Sequence, residues 1–168
     1  VVPHPAVMAA TREALRNAEA LRARRLGVDV PVPLERRHRD EGPLGNLLTD
    51  LMRELYPDAQ LAVLNAGGVR HSIAAGPLTY GELYEAIPFD NRFARVRLTA
   101  REVREMYEDN LSEDNGLLLI SGLRVRARCE AGRVAVTLED ARGRPVPDRR
   151  GLVMITNDFL ATGDRHAF

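Results

Sequence analysis

The stretch Ala59-Gln60-Leu61-Ala62-Val63-Leu64 runs without a break into Asn65-Ala66-Gly67-Gly68-Val69-Arg70. So short and apolar a segment predicts a compact strand rather than a helix. The strand delivers small residues to a point where backbone amides can approach an anion closely. Arg70 adds a forked donor suited to phosphate oxygens. Taken alone, Gly-Gly after a strand is more often only a turn, so the loop gains meaning only from its neighbours.

On either side the order of elements is mixed. Ala6 to Leu26 carries apolar residues at helical spacing (Val7, Ala10, Leu15, Ala18, Leu21), with Gly27 as a stop. Val28 to Val32 is short, β-branched and broken by prolines. Leu44 to Tyr56 predicts an amphipathic helix with Leu44, Leu47, Leu48, Leu51 and Leu55 on its apolar face, ended by Pro57-Asp58. Gly81 to Ile87 is a short helix and Phe93 to Leu98 an alternating strand. Thr99 is the N-cap of a helix to about Leu111, with Glu102 completing a capping box. The last third is β: Leu117–Ser121, Leu123–Cys129, Val134–Leu138 and Leu152–Thr156, separated by turns at Ala131-Gly132 and Arg142-Gly143. With no repeat and no low-complexity linker, the expectation is one α+β domain.

Bulk properties exclude several classes. A chain of 168 residues, 45% hydrophobic and 29% charged, is long enough for one globular domain. No apolar run approaches the roughly 20 residues of a membrane helix. A net charge of zero argues against a domain devoted to gripping nucleic acid backbones. Every basic side chain counted as Lys or Arg is Arg, so any anionic ligand meets planar, bidentate guanidinium groups. Cys129 is the only cysteine and excludes an internal disulfide; its place in an alternating stretch suggests a small buried residue.

Other candidate segments are Arg36-Arg37-His38-Arg39 before the Leu44 helix, Pro88-Phe89-Asp90-Asn91, and Thr156-Asn157-Asp158-Phe159-Leu160 followed by Thr162-Gly163-Asp164. Each is individually common; the ordered set is not. Glu41-x-x-Leu44-Gly45-Asn46-Leu47-Leu48-x-Asp50, Asn65-x-Gly-Gly-Val-Arg70, Pro88-Phe89-x-Asn91, Ser121-Gly122-Leu123 and Thr156-Asn157-x-Phe159-Leu160-Ala161-x-Gly163-Asp164 follow one another at sensible separations. From about Val30 to its end the chain resembles the C-terminal domain of the 5'-nucleotidase family, which includes bacterial UDP-sugar hydrolase.

The resemblance implies a layered α/β/β/α substrate-recognition domain over residues 28–168, preceded by a connector helix over 1–27. It implies that Arg70 holds substrate phosphate and Asn65, in the loop with Gly67 and Gly68, contacts the nucleoside. Phe89 and Phe159 would sandwich the base, with Asn91 beside Phe89, and Asp164 would accept the ribose hydroxyls. Aromatic faces stack any base, while a carboxylate suits sugar hydroxyls. The sequence departs from the family in two places. It has one glycine fewer before Asp164, and the position of a further phosphate-binding Arg is His38, which leaves Arg37 and Arg39 as candidates.

Hydrolysis in that family uses two metal ions on a separate N-terminal metallophosphoesterase domain. Here His4, His38, His71 and His166 are widely separated, and the Asp164-Arg165-His166 match to Asp-x-His has no companion ligands. The expectation is therefore a recognition half with no catalytic residue or metal site of its own. Its partners would be a nucleotide or nucleoside-type small molecule and a domain that carries the divalent metal pair. No nucleic acid and no membrane span are expected, and family resemblance places it in the periplasm or outside the cell. The alternatives are a stand-alone nucleotide-binding module and a degenerate interaction domain; Asn65, Arg70, Phe89 and Phe159 speak against decay.

Overall fold

The computed structural model describes residues 4–113 and 116–162; Asp164 and the Asp164-Arg165-His166 match lie outside the described residues. In chain order the elements are α1 (Pro5–Arg22), β1 (Arg25–Val30), α2 (Pro43–Glu54), β2 (Leu61–Asn65), a short 3-10 turn (Ala66–Gly68), β3 (Gly76–Thr79), α3 (Tyr80–Ala86), β4 (Phe93–Thr99), α4 (Ala100–Ser112), β5 (Leu118–Ser121), β6 (Arg124–Glu130), β7 (Arg133–Glu139), β8 (Gly151–Asn157) and α5 (Asp158–Thr162).

The centre is a four-stranded mixed sheet in the order β4-β8-β2-β5, with β1-β3 and β6-β7 as two-stranded ribbons. β2 is parallel to β8 and antiparallel to β5, and β4 is antiparallel to β8. Alternation along β2 divides its apolar side chains between two cores. Ala62 and Leu64 pack with Leu44 and Met52 of α2, Ala86 of α3, Leu119 and Ile155. Leu61 and Val63 pack on the other face with Val103, Met106 and Tyr107 of α4, Val136 and Leu138 of β7, and Met154. Burying one such side chain fully is worth about 1.5–3 kcal/mol, and Leu61, Val63, Met154 and Ile155 are all fully buried. The domain is thus mixed α and β, with helices flanking several sheets.

Local chemistry accounts for most element boundaries. Thr99 caps α4 as the sequence predicts: Glu102 N–H donates to Thr99 Oγ1 (3.3 Å) and Thr99 N–H to the Glu102 carboxylate (2.6 Å). The same box, Thr79 with Glu82, starts α3. In both boxes the threonine backbone amide, and then its hydroxyl, hold the glutamate below the ordinary carboxylate range.

Four expectations differ from the structure. The first helix ends at Arg22, and Gly27 lies inside β1, where its positive φ of 76° accompanies a register shift between Arg25 and Asp29. None of the apolar residues of α1 is buried; only its C-terminal end meets α3, where Arg22 pairs with Glu85. On α2 the buried line is Leu44, Gly45, Thr49 and Met52, whereas Leu47, Leu51 and Leu55 are 39%, 46% and 67% exposed. Gly45 makes this face the one that fits: a Cβ there would stand 2.8 Å from Leu119 Cδ1, so its absence lets the helix lie close on β5. Cys129 is exposed, because the end of the β6-β7 ribbon extends past the core.

α2 and β5 are further locked by polar contacts. Ser121 Oγ donates to Asp50 Oδ1 and accepts from Arg53 Nε at 3.0 Å. Gly122 follows with φ of 94°, and a Cβ on it would collide with the Gln60 carbonyl oxygen. Gly122→Ala combines an unfavourable φ with a backbone collision and should therefore cost more than about 2 kcal/mol in urea unfolding. Gly143→Ala, at a positive φ of 74° with open space around it, should cost only about 1 kcal/mol. Equal losses in the two variants would refute the close approach at Gly122.

Candidate functional site

Because β2 and β8 are parallel, their C-terminal ends lie at one edge of the sheet, the usual place for a ligand in an open α/β sheet. Asn65 ends β2 and Asn157 ends β8, and Asn157 Nδ2 donates to Asn65 Oδ1 at 3.2 Å. Asn157 is 3% exposed, and its own Oδ1 accepts from Leu160 N–H at 2.9 Å. With its oxygen engaged, Asn65 keeps its Nδ2 hydrogens for another acceptor.

The next residues fold into the 3-10 turn. Ala66 N–H donates to Leu117 O (2.9 Å), Val69 N–H to Ala66 O (3.1 Å) and Arg70 N–H to Ala86 O (2.7 Å). A Cβ on Gly68 would press to 3.3 Å from Asn65 Oδ1, and one on Gly67 would meet Asn65 Nδ2 at 3.7 Å. The glycine pair thus leaves room for the Asn65 amide, Gly68 more strictly than Gly67.

The backbone bond from Arg70 to Ala86 brings the loop against the end of α3, just before Phe89. The Arg70 guanidinium lies over the Phe89 ring at 5.3 Å from its centroid. That is cation–π distance. The other side of the site is tied down by Asp158 N–H, which donates to Arg92 O at 2.8 Å, and by the pairing of Phe93 with Asn157. The loop carrying Phe89 and Asn91 and the short helix α5 carrying Phe159 therefore leave neighbouring strand ends. Phe89 and Phe159 are 42% and 56% exposed, and Asn91 is exposed too.

Among the arginines of residues 36–39, it is Arg36 that reaches the loop. Its Nε donates to Val69 O, its backbone N–H to Ser72 Oγ (2.9 Å), and its Nη2 contacts His38 Nδ1 at 3.0 Å. Burial, and secondly the charge of Arg70, lower its proton affinity from the ordinary arginine value. Arg37 instead pairs with Glu35 at 3.5 Å, and Arg39 is exposed without a hydrogen bond or ion pair among the described residues. The sequence marks the run 36–39 and points within it to Arg37 and Arg39; that Arg36 reaches the loop depends on the pairing of Leu34 with Ile73, which brings this segment beside Val69. Among the described residues neither Arg36 nor Arg70 forms an ion pair with a carboxylate.

A shallow cavity of about 370 Å³ lies at the far end of the sheet, between Arg97–Thr99 and Gly151–Val153. Its carboxylate, Glu102, is taken by the Thr99 cap. The polar convergence is at the Asn65 end. No group of three or more His, Cys, Asp or Glu among the described residues could hold a metal ion, and no helix among them is long and apolar enough to cross a membrane.

Comparison with known proteins matches residues 24–168 to the family model described as 5'-nucleotidase, C-terminal domain. The chain is 31% identical over 137 residues, 80% of its length, to Endonuclease YhcR of Bacillus subtilis, of which it covers 11%. It is 26% identical to a probable 5'-nucleotidase of Treponema pallidum over 94% of its own length and 31% of that protein. The crystal structure of a 5'-nucleotidase precursor from Thermus thermophilus superposes with a TM-score of 0.74 at 30% identity, covering 92% of this chain and 34% of that one. The chain therefore spans about a third or less of the length of these relatives.

The Asn157 amide is what pins the two strand ends. Asn157→Ala should lower stability by about 1–3 kcal/mol, since it leaves Leu160 N–H and Asn65 Oδ1 unpaired. A urea midpoint unchanged from wild type would rule out that role.

Proposed function

The chain belongs to the family of 5'-nucleotidase C-terminal domains, and from that premise we propose that it is the substrate-recognition domain of a nucleotide hydrolase. The carrying observation is a pair of guanidinium groups, Arg70 over the exposed Phe89 ring and Arg36 near enough to feel its charge, neither ion-paired with a carboxylate among the described residues. Cations in such a setting favour an anion with several oxygens, and phosphate fits the fork of each. Phe89, with Arg70 over one part of its ring, and Phe159 supply exposed aromatic faces for a base. Asn65 offers its amide hydrogens to the nucleoside. Asp164 is the proposed acceptor of ribose hydroxyls by family resemblance alone.

Cleavage is assigned to another domain. The divalent metal pair expected for this chemistry finds no donor set among the described residues. A metallophosphoesterase domain joined to this one would supply the metals and the attacking water, while this chain holds base and phosphate in place. Such proteins work outside the cytoplasm in this reading.

Calorimetric titration of the chain with AMP and with adenosine tests the proposal. AMP should bind, and Arg70→Ala should weaken it roughly 10- to 100-fold, the scale of a charge-assisted hydrogen bond. Phe89→Ala should weaken AMP and adenosine alike by a factor of roughly five or more. AMP affinity unchanged in both variants would sink the site assignment, and phosphatase activity of this chain alone with added manganese would overturn the division of labour.

A further inference from the structure

We infer that His38 is a positioning residue for Arg36, its neutral Nδ1 fixing which edge of that guanidinium faces a bound phosphate. This rests on the reading of the loop as a phosphate site and deepens it.

The chemistry of the contact assigns the tautomer. A guanidinium has only donors, so the 3.0 Å contact between Arg36 Nη2 and His38 Nδ1 requires an unprotonated Nδ1, with the ring proton on Nε2. Nε and Nη2 share the lateral edge of the fork. Nε is engaged by Val69 O, and Nη2 by His38. What remains for an anion is the end of the guanidinium at Nη1, the one nitrogen of the three with no partner among the described residues. The lateral edge is thus used for anchoring and the Nη1 end for presentation.

A neutral acceptor suits this position better than an acid. A carboxylate at residue 38 would neutralise Arg36 and compete with the ligand for it. Imidazole orients the guanidinium and leaves its charge uncompensated. The anchor is otherwise made of neutral groups too, Val69 O and the Ser72 hydroxyl, so the two cations at the loop keep their full pull on an incoming anion. His38 itself is exposed, and replacing it leaves the core untouched.

The test uses the 168-residue chain with His38→Leu, which removes the acceptor, and His38→Asn, whose amide oxygen can restore it. Long-range proton–nitrogen NMR should show His38 with a bare Nδ1 and a protonated Nε2. AMP affinity should fall about three- to tenfold in His38→Leu, the size of one hydrogen bond, and return to within about twofold in His38→Asn. Adenosine affinity should be the same in all three, because a group acting through Arg36 touches only the phosphate contact. A proton on Nδ1 in the wild type overturns the inference, as does AMP binding in His38→Leu equal to wild type. If the wild-type chain binds adenosine and AMP equally, or neither, the phosphate reading itself falls and the inference goes with it.

Discussion

The parallel pairing of β2 with β8 is the constraint on which the rest depends. β2 contributes alternate residues to both cores, so it can be neither shifted by one residue nor moved to an edge without exposing one of them. Once it is held there, the C-terminal ends of β2 and β8 must open at the same edge of the sheet. The Asn157–Asn65 bond closes that edge, and the loops bearing Arg70, Phe89 and Phe159 all depart from it. The candidate site is therefore built on buried strand ends, which explains how exposed side chains can be held in a definite arrangement.

The ordered motifs divide into two physical kinds. Gly45, Asp50, Ser121 and Gly122 are framework: they allow α2 to lie close on β5 and lock it there. Asn65, Arg70 and Phe89 lie at the open edge and are the residues proposed to meet a ligand. Gly68 serves both, since its missing side chain makes space for the Asn65 amide. Motif spacing alone shows these residues as one series, because packing and binding leave the same mark on a linear pattern.

Charge adds the second organising feature. The chain is neutral overall, yet the loop gathers two guanidiniums whose described partners are a carbonyl, an imidazole and an aromatic face. Several arginines elsewhere are matched with acids, as in Arg126 with Glu139 or Arg144 with Asp140. Local imbalance inside a balanced chain marks a place that gains from an external anion.

The sequence by itself determined the elements whose causes are local. Thr99 and Glu102 specify the start of α4 because a capping box is completed within one turn. The apolar run at Ala59–Leu64 announces its strand, and the glycine turns after Glu130 and Asp140 separate the last strands. The motif order carried the family and hence the fold and the identities of Asn65, Arg70, Phe89 and Phe159 as candidates. Tertiary structure decided which of the leucines on α2 is buried, because that depends on Gly45 meeting Leu119, a contact between residues far apart in the chain. It decided that Cys129 and the apolar residues of α1 face outward, since periodicity reports a face but not whether anything covers it. It also decided that Arg36, rather than Arg37 or Arg39, meets the loop: adjacent positions in a loop carry no periodic signal, and only the pairing of Leu34 with Ile73 sets which guanidinium arrives beside Arg70.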